Sequence, residues 1–157
     1  MLTVGTKVAD FSLEDKNGNI HTLSEISAKY IVVYFYPKDN TPGCTIEAKK
    51  FSDALPEFEK QGAVVIGISG GDQKSKTKFC DKHDLKLLLL SDDADFSASK
   101  SFACYGKKKF MGREFDGIFR KTYVLDSEMR VVKVYEKVKP FTHAQEVLED
   151  LNTLLHK

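Results

Sequence analysis

Apolar residues along this chain gather into short continuous runs, separated by stretches with helical spacing. The runs cover residues 30–36, 63–69 and 85–90. Runs of this length, rich in β-branched, leucine and aromatic residues, are typical of strands buried on both faces of a sheet. Apolar residues then recur every three or four positions, which predicts helices from about residue 44, over 72–83 and over 96–102. Pro56 lies inside the first helical pattern and predicts a kink or restart near Leu55.

Two further patterns predict antiparallel strands near the two ends of the chain. Asn17-Gly18 lies between residues 10–15 and 20–23 and is typical of a tight hairpin turn. The later elements are a hairpin over residues 121–125 and 131–135 and an amphipathic helix over 143–155. Strand–helix alternation indicates parallel pairing in the first two thirds. We therefore expect one α/β domain over residues 1–157, with a central mixed β-sheet flanked by helices and an N-terminal β-hairpin.

Composition excludes several classes of partner. The chain has 24 lysine and arginine residues against 23 aspartate and glutamate residues, so no bulk charge attracts nucleic acid. No apolar run reaches membrane-spanning length and the first thirty residues lack a leader pattern, so we expect a cytoplasmic protein without membrane contact. The side chains interpreted as solvated surface are lysines 74, 76, 78 and 107–109 and histidines 21, 83, 143 and 156.

Cys44 has the most informative surroundings of the three cysteines. It follows the buried run 30–36 and a polar loop with two prolines and a glycine, and it opens a helical pattern. The thiol is therefore predicted in the first turn of a helix, where free backbone amides and the positive end of the helix dipole favour a thiolate. A structural buried thiol is the simpler alternative, and the polar loop argues against it.

A helix N-terminus alone does not make a cysteine reactive. A thiol with the ordinary pKa of about 8.5 is only about 3% ionised at pH 7. The helix end contributes about 0.3–1 kcal/mol, which is less than the roughly 3 kcal/mol needed for full ionisation. A cation or further hydrogen bonds must supply the rest. Thr41 offers a hydroxyl three residues earlier, and Arg113, Arg120 and Arg130 are the arginines of the chain.

The loop and the start of the predicted helix read Thr41-Pro42-Gly43-Cys44-Thr45-Ile46-Glu47. With this motif the sequence resembles the peroxiredoxins of the bacterioferritin-comigratory, or PrxQ-type, branch. Three further segments match in order and spacing, around residues 5–13, 64–69 and 120–126, so the resemblance covers nearly the whole chain. It implies a thioredoxin-like fold with peroxiredoxin additions. It also implies reduction of hydrogen peroxide and organic hydroperoxides through a cysteine sulfenic acid, without a cofactor or metal.

The resemblance assigns roles to five residues by position. Cys44 becomes the peroxidatic nucleophile, Thr41 a hydrogen-bond partner of thiolate and peroxide, and Pro42 a shield of the sulfur. Arg120 polarises thiolate and substrate, and Glu47 helps to orient the arginine. These roles suit the chemistry, since thiolate attack on an O–O bond builds negative charge on the departing oxygen. Glu47 has a simpler alternative as a favourable acidic residue in a first helical turn.

The second cysteine of the reaction departs from a common pattern of the branch. Many members place the resolving cysteine five residues after the peroxidatic one, where this chain has Lys49. Cys80 matches the other placement known in the branch, and the resemblance implies a Cys44–Cys80 disulfide reduced by a thioredoxin-type protein. Cys80 lies in a polar helical segment and is expected to be a poor core residue. Cys104, between aromatic residues, is expected to be a buried small hydrophobe.

Other functions fit the residues less well. A disulfide oxidoreductase requires Cys-x-x-Cys, and Glu47 stands where the second cysteine would be. Zinc sites usually show two pairs of closely spaced ligands, and this sequence offers only one such pair, Cys80 with His83. A redox sensor or holdase that uses the same Cys44 stays open as an added role. The resemblance favours a monomer.

Overall fold

The computed structural model describes residues 2–155. Its strands are β1 (Ser12–Glu14), β2 (Ile20–Thr22), β3 (Tyr30–Phe35), β4 (Ala63–Ser69), β5 (Leu88–Ser91), β6 (Tyr105–Phe110), β7 (Arg113–Ile118), β8 (Lys121–Asp126) and β9 (Val131–Tyr135). Its helices are α1 (Pro42–Lys60), α2 (Gln73–His83), α3 (Ser97–Ser101) and α4 (His143–Leu155), with a 3₁₀ turn at Leu23–Glu25. The predicted strand–helix alternation and both predicted hairpins are confirmed.

Seven strands form one mixed sheet in the order β2-β1-β5-β4-β3-β8-β9. The strands β3, β4 and β5 pair in parallel through helical crossovers, whereas β8 and β9 form an antiparallel hairpin beside β3. The strand β1 pairs antiparallel with β2 and meets β5 at Glu14 and Ser91. The predicted mixed sheet flanked by helices is therefore confirmed, and the fold is thioredoxin-like.

The side chains of β3 alternate between two hydrophobic cores, one on each face of the sheet. Val32 and Tyr34, together with Tyr36 directly after the strand, enter the first core with α1, α2 and α4. The intervening residues of β3 enter the second core, together with Phe102 and Cys104. Because successive side chains of a strand point to opposite faces, a residue's core identifies the side of the sheet on which it lies.

The structure differs from the predicted elements in two places. The helix α1 runs without interruption from Pro42 to Lys60 and contains Pro56, so of the predicted kink or restart near Leu55 the restart is wrong. The hairpin β6–β7 was not predicted, because its strands carry mainly charged or exposed residues and present no continuous apolar run. Among residues 2–155, no helix is long and apolar enough to cross a membrane.

Candidate active site

The pairing of β3 with β8 brings the two ends of the candidate site together. Phe35, the last residue of β3, is the register partner of Lys121, the first residue of β8. Arg120 directly precedes β8, and the loop that leads to Cys44 directly follows β3. Residues 76 positions apart in the sequence therefore meet at one edge of the sheet.

Cys44 is the third residue of α1 and is buried, with 1% of its surface exposed. The first backbone bond of the helix runs from the Thr45 amide to the Thr41 carbonyl over 2.8 Å. The amides of Gly43 and Cys44 precede that bond, which leaves them outside the helical hydrogen-bond ladder. The predicted position of Cys44 in a first helical turn is confirmed, and the positive end of the helix dipole lies at its thiol.

The guanidinium of Arg120 bridges Cys44 and Glu47. Its Nη2 donates to the Cys44 sulfur over 3.3 Å, and its Nη1 donates to Glu47 Oε1 over 2.8 Å. Burial alone would lower the pKa of Arg120, but the charges of Cys44 and Glu47 raise it above its ordinary value. The site therefore holds a permanent cation against the sulfur, as the residue chemistry required.

Glu47 is completely buried one turn after Cys44 on α1. Burial raises the pKa of Glu47 to about 7, and the attraction of Arg120 only partly opposes this. One carboxyl oxygen receives the Arg120 bond, while Oε2 finds no hydrogen-bond partner within residues 2–155. Because a buried carboxylate with one unpaired oxygen is costly, Glu47 is poorly explained as a favourable charge in a first helical turn.

Gly43 leaves the space in which the Arg120 side chain lies. A Cβ atom at position 43 would stand 3.1 Å from Nη2 of Arg120, closer than ordinary van der Waals contact. The glycine therefore leaves room for the guanidinium beside the sulfur of the next residue, and an added Cβ would require the guanidinium to shift by a few tenths of an ångström.

Thr41 and Pro42 lie where the loop meets the helix that carries the thiol. Pro42 occupies the first position of α1, where its missing amide hydrogen costs nothing. The Thr41 hydroxyl donates to the carbonyl oxygen of Lys38 over 3.0 Å. The resemblance implied a hydrogen bond from this hydroxyl to the Cys44 thiolate. In this structure the hydroxyl hydrogen goes to the loop backbone instead.

The sheet separates the remaining two cysteines. Cys80 lies in the first core together with Cys44, whereas Cys104 lies in the second core on the opposite face. Cys44 and Cys80 also both contribute to the raised pKa of the buried Tyr34 hydroxyl, behind burial itself and Glu47. The two thiols and Tyr34 thus share one core on one side of the sheet, and all three cysteines are free.

Burial was predicted correctly for one of these two cysteines. Cys104 is fully buried, and burial raises the pKa of its thiol to about 12. Cys80 was expected to be a poor core residue, and this is wrong, because it is only 4% exposed. The helix α2 is polar on average, yet Lys76, Phe79 and Cys80 form a buried stripe at helical spacing.

Lys76 and His143 were predicted to be surface residues, and both predictions are wrong. Lys76 is completely buried and pairs with Asp39 over 2.9 Å. His143 is 1% exposed, and its Nε2 shares a 2.8 Å hydrogen bond with Thr122 Oγ1, two residues beyond Arg120. The sequence gives no local signal for the partner that receives each buried group, since Asp39 lies 37 positions before Lys76 and Thr122 lies 21 positions before His143. His143 Nδ1 also shares a 3.1 Å hydrogen bond with Glu146, three residues further on.

The other surface predictions have mixed outcomes. His21 and His83 are half-buried, and His156 lies outside the described residues. Lys107 and Lys109 are exposed as expected, while the half-buried Lys108 donates to the Ile118 carbonyl over 2.9 Å. Within residues 2–155, no three histidine, cysteine or acidic side chains gather in a way that could hold a metal ion.

A thiol that accepts a hydrogen bond from a guanidinium at a helix N-terminus, in a thioredoxin-like fold, defines a thiol-based redox protein. Comparison with known proteins gives the family. Residues 4–134 match the model of the AhpC/TSA family. Peroxiredoxin Bcp of Bacillus subtilis is 41% identical over 156 residues, which cover 99% of each chain.

Two solved structures extend the comparison. A PrxQ variant from Xylella fastidiosa superposes with a TM-score of 0.91 at 33% identity, covering 99% of this chain and 98% of the other. The bacterioferritin comigratory protein of Xanthomonas campestris, described for its alkyl peroxide reduction activity, superposes with a TM-score of 0.87 at 36% identity, covering 98% of each chain. The chain belongs to the AhpC/TSA family, in its bacterioferritin-comigratory peroxiredoxin branch.

Proposed function

We propose that this protein is a thiol-dependent peroxidase that reduces hydrogen peroxide and organic hydroperoxides with Cys44. The observation that carries the proposal is the Arg120 guanidinium, which donates to the Cys44 sulfur and is itself fixed by Glu47. Family membership and the alkyl peroxide reduction described for the Xanthomonas protein support the same activity.

The first chemical step is nucleophilic substitution at oxygen. The Cys44 thiolate attacks the terminal oxygen of ROOH, an S–O bond forms, and the O–O bond breaks with both electrons leaving on RO⁻. Sulfur is oxidised to a sulfenic acid, and RO⁻ takes a proton to become an alcohol, or water when the substrate is hydrogen peroxide. Arg120 stands where it can stabilise the thiolate and then the departing oxyanion, as charge-assisted donors do.

Pro42 and Thr41 complete the proposed first step. Pro42 caps the sulfur from the loop and excludes part of the solvent. The Thr41 hydroxyl, one residue before α1, can turn from the Lys38 carbonyl toward an incoming peroxide by rotation about one side-chain bond. Thr41 therefore acts on the substrate rather than on the resting thiolate.

Cys80 resolves the sulfenic acid in the second step. Its sulfur attacks the Cys44 sulfur, an S–S bond forms, and the hydroxyl leaves as water. The location of both thiols in one core, with Cys104 across the sheet, supports Cys80 over Cys104. A thioredoxin-type dithiol protein would then reduce the disulfide. Reductant identity, a monomeric state and a cytoplasmic location stay predictions.

Peroxide consumption by the three single Cys→Ser variants tests the proposal. Cys44→Ser should abolish turnover because a serine hydroxyl is not ionised at neutral pH and does not replace the thiolate. Cys104→Ser is the matched control, since it removes a buried thiol from the opposite core and should keep near-normal turnover. Peroxide reduction by Cys44→Ser above a few per cent of the wild-type rate would refute the nucleophile assignment. A loss in Cys104→Ser comparable to that in Cys44→Ser would make Cys104 catalytic.

A further inference from the structure

A buried ion pair fastens the helix that carries Cys80 to the loop that leads to Cys44. Lys76 lies on α2, and its ammonium group donates to both carboxylate oxygens of Asp39, over 3.1 and 2.9 Å. Asp39 lies five residues before Cys44 in the loop between β3 and α1. Lys76 lies one helical turn before Cys80 on the same buried stripe. The pair therefore joins the segments that carry the two thiols.

The ion pair is embedded in a network of hydrogen bonds. Lys76 also donates to Ser69 Oγ over 2.8 Å and to the Gly70 carbonyl over 2.6 Å. The carboxylate of Asp39 accepts from Tyr36 over 2.6 Å and from Ser75 over 2.7 Å. Burial lowers the pKa of Lys76, and Asp39 opposes that effect. A buried charge held this fully is strongly destabilised when its partner is withdrawn, so the network resists opening of α2.

A second contact fastens the other end of α2 to the same loop. The ring of His83, the last residue of α2, shares a 2.9 Å hydrogen bond with Asn40 Oδ1 at the surface. Asn40 directly follows Asp39. Cys80 is therefore held between two attachments, one buried and one exposed, both made to the loop that positions Cys44.

We propose that the Asp39–Lys76 pair is a latch that controls how fast Cys80 reaches oxidised Cys44. The inference rests on the proposed function. Both thiols are buried in separate helices, so forming the disulfide requires α2, the first turn of α1, or both to loosen. Lys76 acts through Cys80 and never touches substrate, which makes it a positioning residue. A tight latch keeps the peroxidatic pocket intact but delays resolution.

The latch sets a competition between two fates of the Cys44 sulfenic acid. In resolution, Cys80 forms the disulfide and water leaves. In over-oxidation, a second ROOH transfers an oxygen atom to the sulfenic acid, which becomes a sulfinic acid while ROOH becomes ROH. Slower opening of α2 gives the second peroxide more time. The peroxide concentration that gives equal amounts of disulfide and sulfinic acid therefore measures how readily α2 opens.

The test compares three variants with the wild type, all with both cysteines in place. The variant Asp39→Asn/Lys76→Met removes both charges and leaves neither one buried alone. The control Lys78→Gln removes an exposed lysine from the same helix, two residues from Lys76. Ser75→Ala keeps the ion pair, removes one bond between α2 and Asp39, and serves if the double variant is too unstable.

Two measurements are made on each protein. Hydrogen exchange of residues 73–83 in the reduced state should rise at least about tenfold in the double variant and by less in Ser75→Ala, because local opening becomes easier. The peroxide concentration that gives equal amounts of disulfide and sulfinic acid, read by mass spectrometry, should rise at least about fivefold in the double variant. Lys78→Gln should match the wild type in both.

Several results would overturn the latch. Unchanged exchange in residues 73–83, or raised exchange while the peroxide concentration that gives equal amounts of disulfide and sulfinic acid stays within twofold of wild type, would give Lys76 a structural role only. A fall in that concentration would reverse the proposed direction. Failure of the proposed function can be distinguished from failure of the latch, because the wild-type protein alone tests the proposed function. A wild-type protein that forms no Cys44–Cys80 disulfide with peroxide would refute resolution by Cys80, and the latch with it.

Discussion

The Arg120 guanidinium lies 3.3 Å from the Cys44 sulfur because β8 pairs antiparallel with β3. The end of one strand and the start of the other share a register position, so the residue before β8 faces the loop after β3. The contact thus depends on a strand pairing and not on any local motif. It joins the cation required for thiol chemistry to the thiol itself.

Arg120→Ala should slow oxidation of Cys44 by at least about tenfold, since a charge-assisted donor is commonly worth about 1.5–3 kcal/mol. Alkylation of Cys44 by iodoacetamide at pH 6 should slow as well, because the guanidinium no longer donates to the sulfur. Stopped-flow oxidation under single-turnover conditions measures the first effect. Arg113→Ala is the control, because Arg113 is an exposed arginine on β7. Normal rates in Arg120→Ala would refute the role of Arg120 in the oxidation step.

Cys80→Ser should still consume one equivalent of peroxide and then stall without an added small thiol. The sulfenic acid of Cys44 has no partner in this variant, so high peroxide should convert it to sulfinic acid. Peptide mapping of the wild type after one equivalent of peroxide should find Cys44 linked to Cys80. A dominant Cys44–Cys104 link, or a dimer joined through Cys44, would contradict the assignment.

Gly43→Ala should reduce the rate of Cys44 oxidation severalfold, because the added methyl group displaces the Arg120 guanidinium from the sulfur. Alanine is a better helix former than glycine by about 1 kcal/mol, so we expect no large loss of stability. The matched test combines the change with Arg120→Ala, where it should have no further effect on rate. An equal additional loss in that double variant would show that Gly43 acts independently of Arg120.

The stability of the reduced protein should depend on pH through Glu47. The folded protein binds the Glu47 proton more tightly than the unfolded chain, since burial raises its pKa from 4.5 to about 7. This contribution to stability is complete below pH 4.5 and is lost as pH rises through 7, a change of about 3 kcal/mol. Glu47→Gln should therefore gain stability over wild type between pH 4.5 and 8, as measured by urea unfolding.

Glu57→Gln provides the control for that series. Glu57 is an exposed residue on the same helix, so its replacement should leave the pH dependence of the unfolding free energy unchanged. If wild type and Glu47→Gln differ by a constant amount at every pH, Glu47 does not carry the raised pKa.

The sequence was sufficient where a side chain's role depends on its neighbours along the chain. The run that forms β3 and the helical pattern after it placed Cys44 in the first turn of α1. The Asn17-Gly18 turn predicted the hairpin of β1 and β2. The resemblance named Arg120, but residue chemistry alone left three arginines open, because the pairing of β3 with β8 is invisible in local patterns.

Tertiary structure decided the burial of residues whose polar atoms are paired with partners distant in the sequence. Lys76 lies in a lysine-rich helix, and its average polarity predicted exposure for the whole segment. Burial of its ammonium group is possible only because Asp39, 37 positions earlier, supplies a carboxylate at hydrogen-bond distance. Cys80 is buried with it, since both lie on the same stripe of α2. Hydrophobic spacing determines which elements form, whereas burial of a charge depends on a partner that only the packed fold brings into contact.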